Sequence, residues 1–202
     1  MKINSVNNFI SFGKQLVATG DYLKEDKVCP CFFYKLCKDD KLQIEGSIAK
    51  DEWQGIELVD SLVYNMNEFS KDEFYSIEDS DGMLLGATEI YDEKIEGINS
   101  KNIHIIETCP KCSSKNIHRK EKYIGESLLA FIVKLAKKEN KEMVYISVAE
   151  ATALSFYTDK CFFTQRQEVQ KLEDSPVFLM DSDFDKLIDR NEEHTKNQIK
   201  FV

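Results

Sequence analysis

Between Ile124 and Lys138 the chain returns apolar side chains at Ile124, Leu128, Ile132 and Leu135, one face of an amphipathic helix. Lys134, Lys137 and Lys138 gather where the negative end of the helix dipole falls. Ahead of the helix stands Lys122-Tyr123-Ile124-Gly125-Glu126-Ser127-Leu128-Leu129. A strand that hands over to a helix through a glycine-containing turn exposes several backbone N–H groups at the positive helix end, and these suit an anion such as a pyrophosphate. One glycine before a helix is more often a structural device than a ligand site, so the turn takes its meaning from its surroundings.

Those surroundings alternate strands and helices. Val6 to Val17 reads as a short helix stopped by Gly20, and Val28 to Leu36 and Lys41 to Ile48 as strands. Asp51 to Met66 returns Trp53, Ile56, Val59, Val63 and Met66 at helical intervals, with Asp51-Glu52 suiting the helix start. Glu73 to Ile77 and Met83 to Tyr91 read as strands joined across Asp79-Ser80-Asp81-Gly82, whose Asp-Gly pair signals a hairpin. Asn102 to Thr108 is a further strand running into Cys109-Pro110. After the Ile124 helix come a β-rich run at Met143 to Val148, a short helix at Ala151 to Asp159, strands at Phe162 to Val169 and Val177 to Met180, a helix at Asp183 to Glu193 and a polar tail.

No repeat, Pro- or Gly-rich linker or low-complexity tract offers a boundary, so residues 1–202 are expected to form one α/β domain. With 42% hydrophobic residues the chain can bury roughly 70% of its unfolded surface. A net charge of −9 argues against a nucleic-acid surface, which needs a basic stripe, and suits a cationic partner better. Asn7, Asn8, Ser11, Gly13 and Lys14 interrupt any signal-peptide core, and no stretch is long and apolar enough to span a membrane, so a cytoplasmic protein is expected. Six cysteines are too few for a disulfide scaffold, and reduced thiols are expected.

The second informative segment is Ala153-Leu154-Ser155-Phe156-Tyr157-Thr158-Asp159-Lys160-Cys161-Phe162, directly after the β-run. Taken alone, Phe156-Tyr157 is most simply a pair of aromatic core residues. Taken in order, strand, proline, glycine-containing turn, amphipathic helix, strand, Ala-x-x-Phe-Tyr and trailing Phe resemble the GNAT superfamily of acyl-CoA-dependent N-acetyltransferases. The resemblance runs from Phe74 to about Met180. Lys122, Gly125 and Ser127 take the places of the family's phosphate-cradling pattern, and Glu150, Ala153, Phe156-Tyr157 and Cys161-Phe162 those of its later Asn, Ala, Phe-Tyr and Gly-Phe pattern. Glu150 departs from an asparagine, and Cys161 from a turn glycine where another residue costs of order 1 kcal/mol. Pro110 to Gly125 is longer than the family's connection, so Lys111 to Lys120 is expected to be an extended loop.

The resemblance implies a mixed central sheet with splayed strands flanked by helices, a core at about 73–180, and a variable acceptor-site region at about 1–72. It implies acetyl-CoA as acyl donor, a primary amine as acceptor, and no metal. The pantetheine arm would run along the Ile105 to Thr108 strand, with Ile106 and Thr108 in the cofactor site. The pyrophosphate would take N–H groups from Ile124, Gly125, Glu126, Ser127 and Leu128, next to Lys122 and Tyr123; Glu150, Ala153 and Phe156 complete the coenzyme site. Tyr157 takes the place of the family's acid that protonates the departing thiolate. Glu107, at the end of a strand facing the cleft, is the candidate base, with His104 and His118 as rivals.

Two other readings stand beside this one. Cys109-Pro-Lys-Cys112 resembles half of a zinc knuckle, and Cys29-Pro-Cys31 offers more thiolates, although with a spacing too short for the usual motif. A GNAT-like domain that binds acyl-CoA without turnover is the other. The acceptor's identity and the oligomeric state leave no signature in the sequence.

Overall fold

The computed structural model describes residues 13–41, 44–46, 61, 64–66, 71–109, 120–149, 153–166 and 175–202. Its strands are β1 (Gln15–Lys24), β2 (Lys27–Leu36), β3 (Glu73–Asp79), β4 (Leu84–Ile95), β5 (Ile98–Thr108), β6 (Glu121–Lys122), β7 (Met143–Ala149), β8 (Thr164–Gln165), β9 (Ser175–Met180) and β10 (Lys200–Phe201). Helix α1 spans Ile124–Lys138 and α2 spans Phe184–Thr195. All ten strands join one sheet in the order β10-β1-β2-β3-β4-β5-β7-β9-β8, with β6 paired to β1. Every pairing is antiparallel except β5 with β7. That single parallel contact is the one that needs a crossover, and α1 supplies it.

The β3–β4 hairpin forms where the Asp-Gly pair signals it. Asp79 Oδ1 accepts from Asp81 N at 2.9 Å and Met83 N at 2.8 Å, and Gly82 takes a φ of 78°. On one face of the sheet lies α1. Phe131 stacks on Phe33 with ring centroids 4.7 Å apart and meets Tyr75 edge-on at 5.2 Å. A Cβ at Gly86 would meet Leu128 Cδ1 at 2.8 Å and the Glu107 carbonyl at 2.9 Å, so only glycine lets the helix lie this close.

Helix α1 has the bounds that its periodicity predicts, yet every residue from Ile124 to Ala136 except Gly125 and Lys134 is buried. The reason is α2, whose Phe184, Leu187, Ile188, Asn191 and Thr195 form a buried stripe against it. The end of α1 is fixed to the sheet by Lys101, 1% exposed, whose Nζ lies 2.6 Å from both Asp92 and Glu139 and 3.3 Å from Glu73.

Three expectations are corrected. Residues 15–17, read as the end of a helix, belong to β1, and Gly20 sits within that strand instead of stopping a helix; pairing with β2, β6 and β10 overrides the local pattern. Lys41 and residues 44–46, read as strand, are helical. The polar tail after α2 folds back: Ile199 is 4% exposed and β10 pairs with β1 through Ala18 and Thr19. Ser61 and residues 64–66 are helical, as Asp51 to Met66 predicts; residues 1–12, the rest of that helix and the 111–119 part of the expected loop lie outside the described residues. Among the described residues no helix is long and apolar enough to cross a membrane.

Candidate active site

Strands β5 and β7 pair only through Ser100 to Ile103 with Met143 to Ile146. Beyond that point β5 runs on to Thr108 and β7 to Ala149 without pairing to each other, and β7 slips its register against β9 between Ile146 and Ala149. The other edge of β5 stays paired to β4 as far as Thr108. A wedge therefore opens between two central strands, bordered on the β5 side by backbone that β7 does not reach.

Helix α1 starts at the mouth of this wedge. Its N-cap, Tyr123, is left-handed with φ 67° and ψ 13°, and among the described residues no side chain caps the helix. The first ladder bond runs from Ser127 N to Tyr123 O at 2.8 Å, so the N–H groups of Ile124, Gly125 and Glu126 precede the intrahelical ladder. A left-handed conformation at a tyrosine costs about 1–2 kcal/mol and persists only where neighbours enforce it.

A Cβ built at Gly125 would lie 3.5 Å from Phe156 Cζ and 3.7 Å from Thr108 Cγ2, ordinary contact distances. Three residues that the sequence placed in the coenzyme site thus converge: the end of β5, the first turn of α1 and the aromatic segment after β7. Gly125 is not among the residues of positive φ, and its own protein does not crowd it. Neither backbone nor packing demands glycine here, and the bare first turn fits a ligand that approaches the main chain closely.

The remaining cradle residues divide. Ile124 and Leu128 turn their side chains into the core. Glu126 and Ser127 are buried towards α2: Ser127 Oγ accepts from Asn191 Nδ2 at 3.1 Å, and Glu126 meets His194 Nδ1 at 2.8 Å and Arg190 Nε at 3.3 Å. These two can serve a ligand only through backbone N–H groups. Lys122 Nζ bonds Asp26 at 2.7 Å in an exposed pair of little energetic weight. Glu150 lies outside the described residues.

After β7 the chain makes a π-helical turn, Phe156–Lys160, an arrangement frequent at functional sites. Ala153 O accepts from the N–H groups of Phe156 at 2.9 Å and Tyr157 at 3.2 Å. Tyr157 is 8% exposed, with Phe156 and Phe163 edge-on at 5.4 and 5.9 Å. The expected strain at Cys161 is absent, since its φ is −111°; the positive φ of 63° falls on Phe162, one residue later. Burial pushes the Cys161 thiol far above its ordinary range, with the Glu126 carboxylate adding to the effect, so this thiol is inert packing.

Glu107 is half-buried on β5, and its Oε1 lies 3.2 Å from the Thr108 N–H. Because Thr108 faces α1 at Gly125, strand alternation sends Glu107 to the opposite face. Glu89 shares that face, opposite Ile105 while Ala87 opposes Glu107. It is 1% exposed, accepts from Asn65 Nδ2 at 2.9 Å and lies beside the Asp72 carboxylate; burial, reinforced by Asp72 and opposed by Asn65, lifts its carboxyl to about 7. Sequence reasoning passed over Glu89. The available signal was a charge at the inward position of an otherwise apolar strand, Leu84-Leu85-Gly86-Ala87-Thr88-Glu89-Ile90. It also passed over Arg190 and His194, whose four-residue spacing puts them on one helix face.

Of the rival bases, His104 is exposed on β5, 6.3 Å from the Tyr91 ring, and His118 lies outside the described residues. Cys109 is buried at the end of β5, Cys31 is buried in β2 and Cys112 is not described. Among the described residues no three His, Cys, Asp or Glu side chains form a metal-holding group.

No protein-family model matches the chain, and no curated protein matches its sequence. Solved structures do match its fold. A chimera of the Vibrio cholerae spermidine N-acetyltransferase SpeG and hSSAT superposes with a TM-score of 0.53 at 13% identity, over 77% of this chain and 98% of that one. A point mutant of the Vibrio cholerae enzyme gives 0.52 at 15% identity over 76% and 95%. A second chimera gives 0.51 at 16% identity over 76% and 97%. At such identities the likeness is one of fold.

Proposed function

The chain has the fold of the GNAT acetyltransferases, and from that premise we propose that it is an acyl-CoA-dependent N-acetyltransferase that moves an acetyl group from acetyl-CoA to a primary amine. The observation that carries this reading is the convergence of the β5–β7 wedge, the uncapped start of α1 and the bare Gly125 against Phe156 and Thr108. The coenzyme supplies an acyl thioester. The β5 backbone from Ile105 to Thr108 gives an extended arm something to pair with, and the first turn of α1 gives a pyrophosphate N–H donors in a favourable dipole.

Three chemical needs remain: a neutral amine, stabilisation of the tetrahedral oxyanion, and a proton for the thiolate. Tyr157 is assigned the proton donor, because its ring is held in a fixed pose by Phe156 and Phe163. Glu107 is assigned the amine's proton, taken directly or through water, from the sheet face opposite α1. The net charge of −9 supports a cationic acceptor, as do structural neighbours that are spermidine N-acetyltransferases.

The test is a thermal-shift measurement with acetyl-CoA and free coenzyme A, followed by coenzyme release with a panel of amines that includes spermidine. A ligand that binds only the native state stabilises it by about 2.7 kcal/mol at a hundredfold excess over Kd. A clear upward shift is expected, and none with either compound overturns the proposal.

A further inference from the structure

An anion site at a helix N-terminus is poorly served by a carboxylate in its first turn, and α1 carries one. Glu126 is the third residue of the helix, the position from which a glutamate ordinarily reaches back to the N-cap N–H and closes a capping box. Free to move, it would bring a negative charge to the helix start, beside the N–H groups that a pyrophosphate needs, and would repel it. Instead it is 3% exposed and turned away, with Oε1 2.8 Å from His194 Nδ1 and Oε2 3.3 Å from Arg190 Nε. Both partners belong to α2. The His194 ring also stacks on Tyr123, 4.4 Å between centroids at 15°, at the very residue held left-handed before the helix. The Arg190 guanidinium lies 5.8 Å over the ring of Phe162, another residue of positive φ, just past the π turn.

We propose that α2 is a working part of the coenzyme site: Arg190 and His194 are positioning residues that hold the Glu126 carboxylate off the first turn of α1 and fix Tyr123 in its left-handed pose. The proposal rests on the coenzyme reading above. Arg190 offsets the buried charge, His194 supplies a second bond and a flat surface for Tyr123, and the N–H groups of Ile124 and Gly125 stay open to a phosphate. Loss of either partner releases Glu126 to turn towards the start of its own helix, where its charge works against the ligand. This device differs from ordinary packing in one respect: its failure should be cured by removing the charge it restrains.

The experiment measures the affinity for coenzyme A by titration calorimetry, with melting temperature alongside, for the unaltered protein, Arg190→Met, and Arg190→Met combined with Glu126→Gln. Arg190→Met is expected to weaken binding by about tenfold or more, the scale of one charge at a partly buried helix terminus. Glu126→Gln in that background is expected to restore most of the loss. Unchanged affinity in a folded Arg190→Met variant overturns the proposal, and so does a loss that Glu126→Gln fails to relieve. If Arg190→Met does not fold, His194→Phe, which keeps a ring against Tyr123 and removes the bond to Glu126, carries the same comparison. Absence of binding by the unaltered protein would overturn the coenzyme reading itself, whereas binding that ignores these changes overturns only the role of α2.

Discussion

Gly125 shows how one residue can separate a demand of the fold from a demand of a ligand. An alanine there would touch Phe156 and Thr108 at 3.5 and 3.7 Å and would need no unusual backbone angle. Gly125→Ala should therefore leave the free protein as stable or more stable, by up to about 1 kcal/mol from helix propensity. Under the proposed coenzyme reading the shift with acetyl-CoA should shrink, because an added methyl group keeps the ligand from the main chain at this turn. Loss of stability without loss of the shift would mark Gly125 as a packing residue. That Gly125, Thr108 and Phe156 lie together could be anticipated from the sequence, Gly125 and Phe156 from local motifs and Thr108 from the strand that runs to it. Glu89, Arg190 and His194 could not be read in this way, since each acquires its meaning from a partner elsewhere in the chain: Asn65 and Asp72 for the first, Glu126 for the other two.

The same division holds for the elements. Helix α1 and the β3–β4 hairpin could be read in place, one from a 3.6-residue period and one from an Asp-Gly turn. Strand β1 could not, because what makes it a strand is pairing with β2 and with β10, whose residues lie about 180 positions away. The short helix after β7 was legible as a helix, but its π-helical turn was not, since the wider turn depends on how Phe156 and Tyr157 pack. That turn carries a prediction. Tyr157→Phe removes one oxygen from a buried ring while keeping its edge contacts with Phe156 and Phe163. Coenzyme affinity should hold, while kcat should fall about 10²–10⁴-fold, or roughly 3–5 kcal/mol, well beyond any change in melting temperature, if the phenol protonates the thiolate. An undiminished kcat would remove Tyr157 from the chemistry.

For the molecule as a whole, Glu89 links stability to pH. Its carboxyl titrates at about 7 in the folded chain against an ordinary value of 4.5, so the native state holds the proton more tightly than the unfolded chain does. The associated stability is fully present below about pH 4.5 and is lost as pH rises through about 7. Glu89→Gln, which can still accept from Asn65, should raise the melting temperature at pH 8, with the difference fading towards pH 4.5. Equal melting temperatures at pH 8 would show that the buried carboxylate costs no stability. A last consequence belongs to the wedge between β5 and β7. Open strand edges invite other chains to add to a sheet, and this sheet blunts its outer edges with strands of two residues, β10 and β8. The longer stretch that β7 leaves uncovered, on β5, is kept inside, with β7, β9 and β8 continuing the sheet beyond it. Under the coenzyme reading, a gap so enclosed would take a single thread lying along the strand, keeping an edge for the ligand without the aggregation hazard that an exposed one would bring.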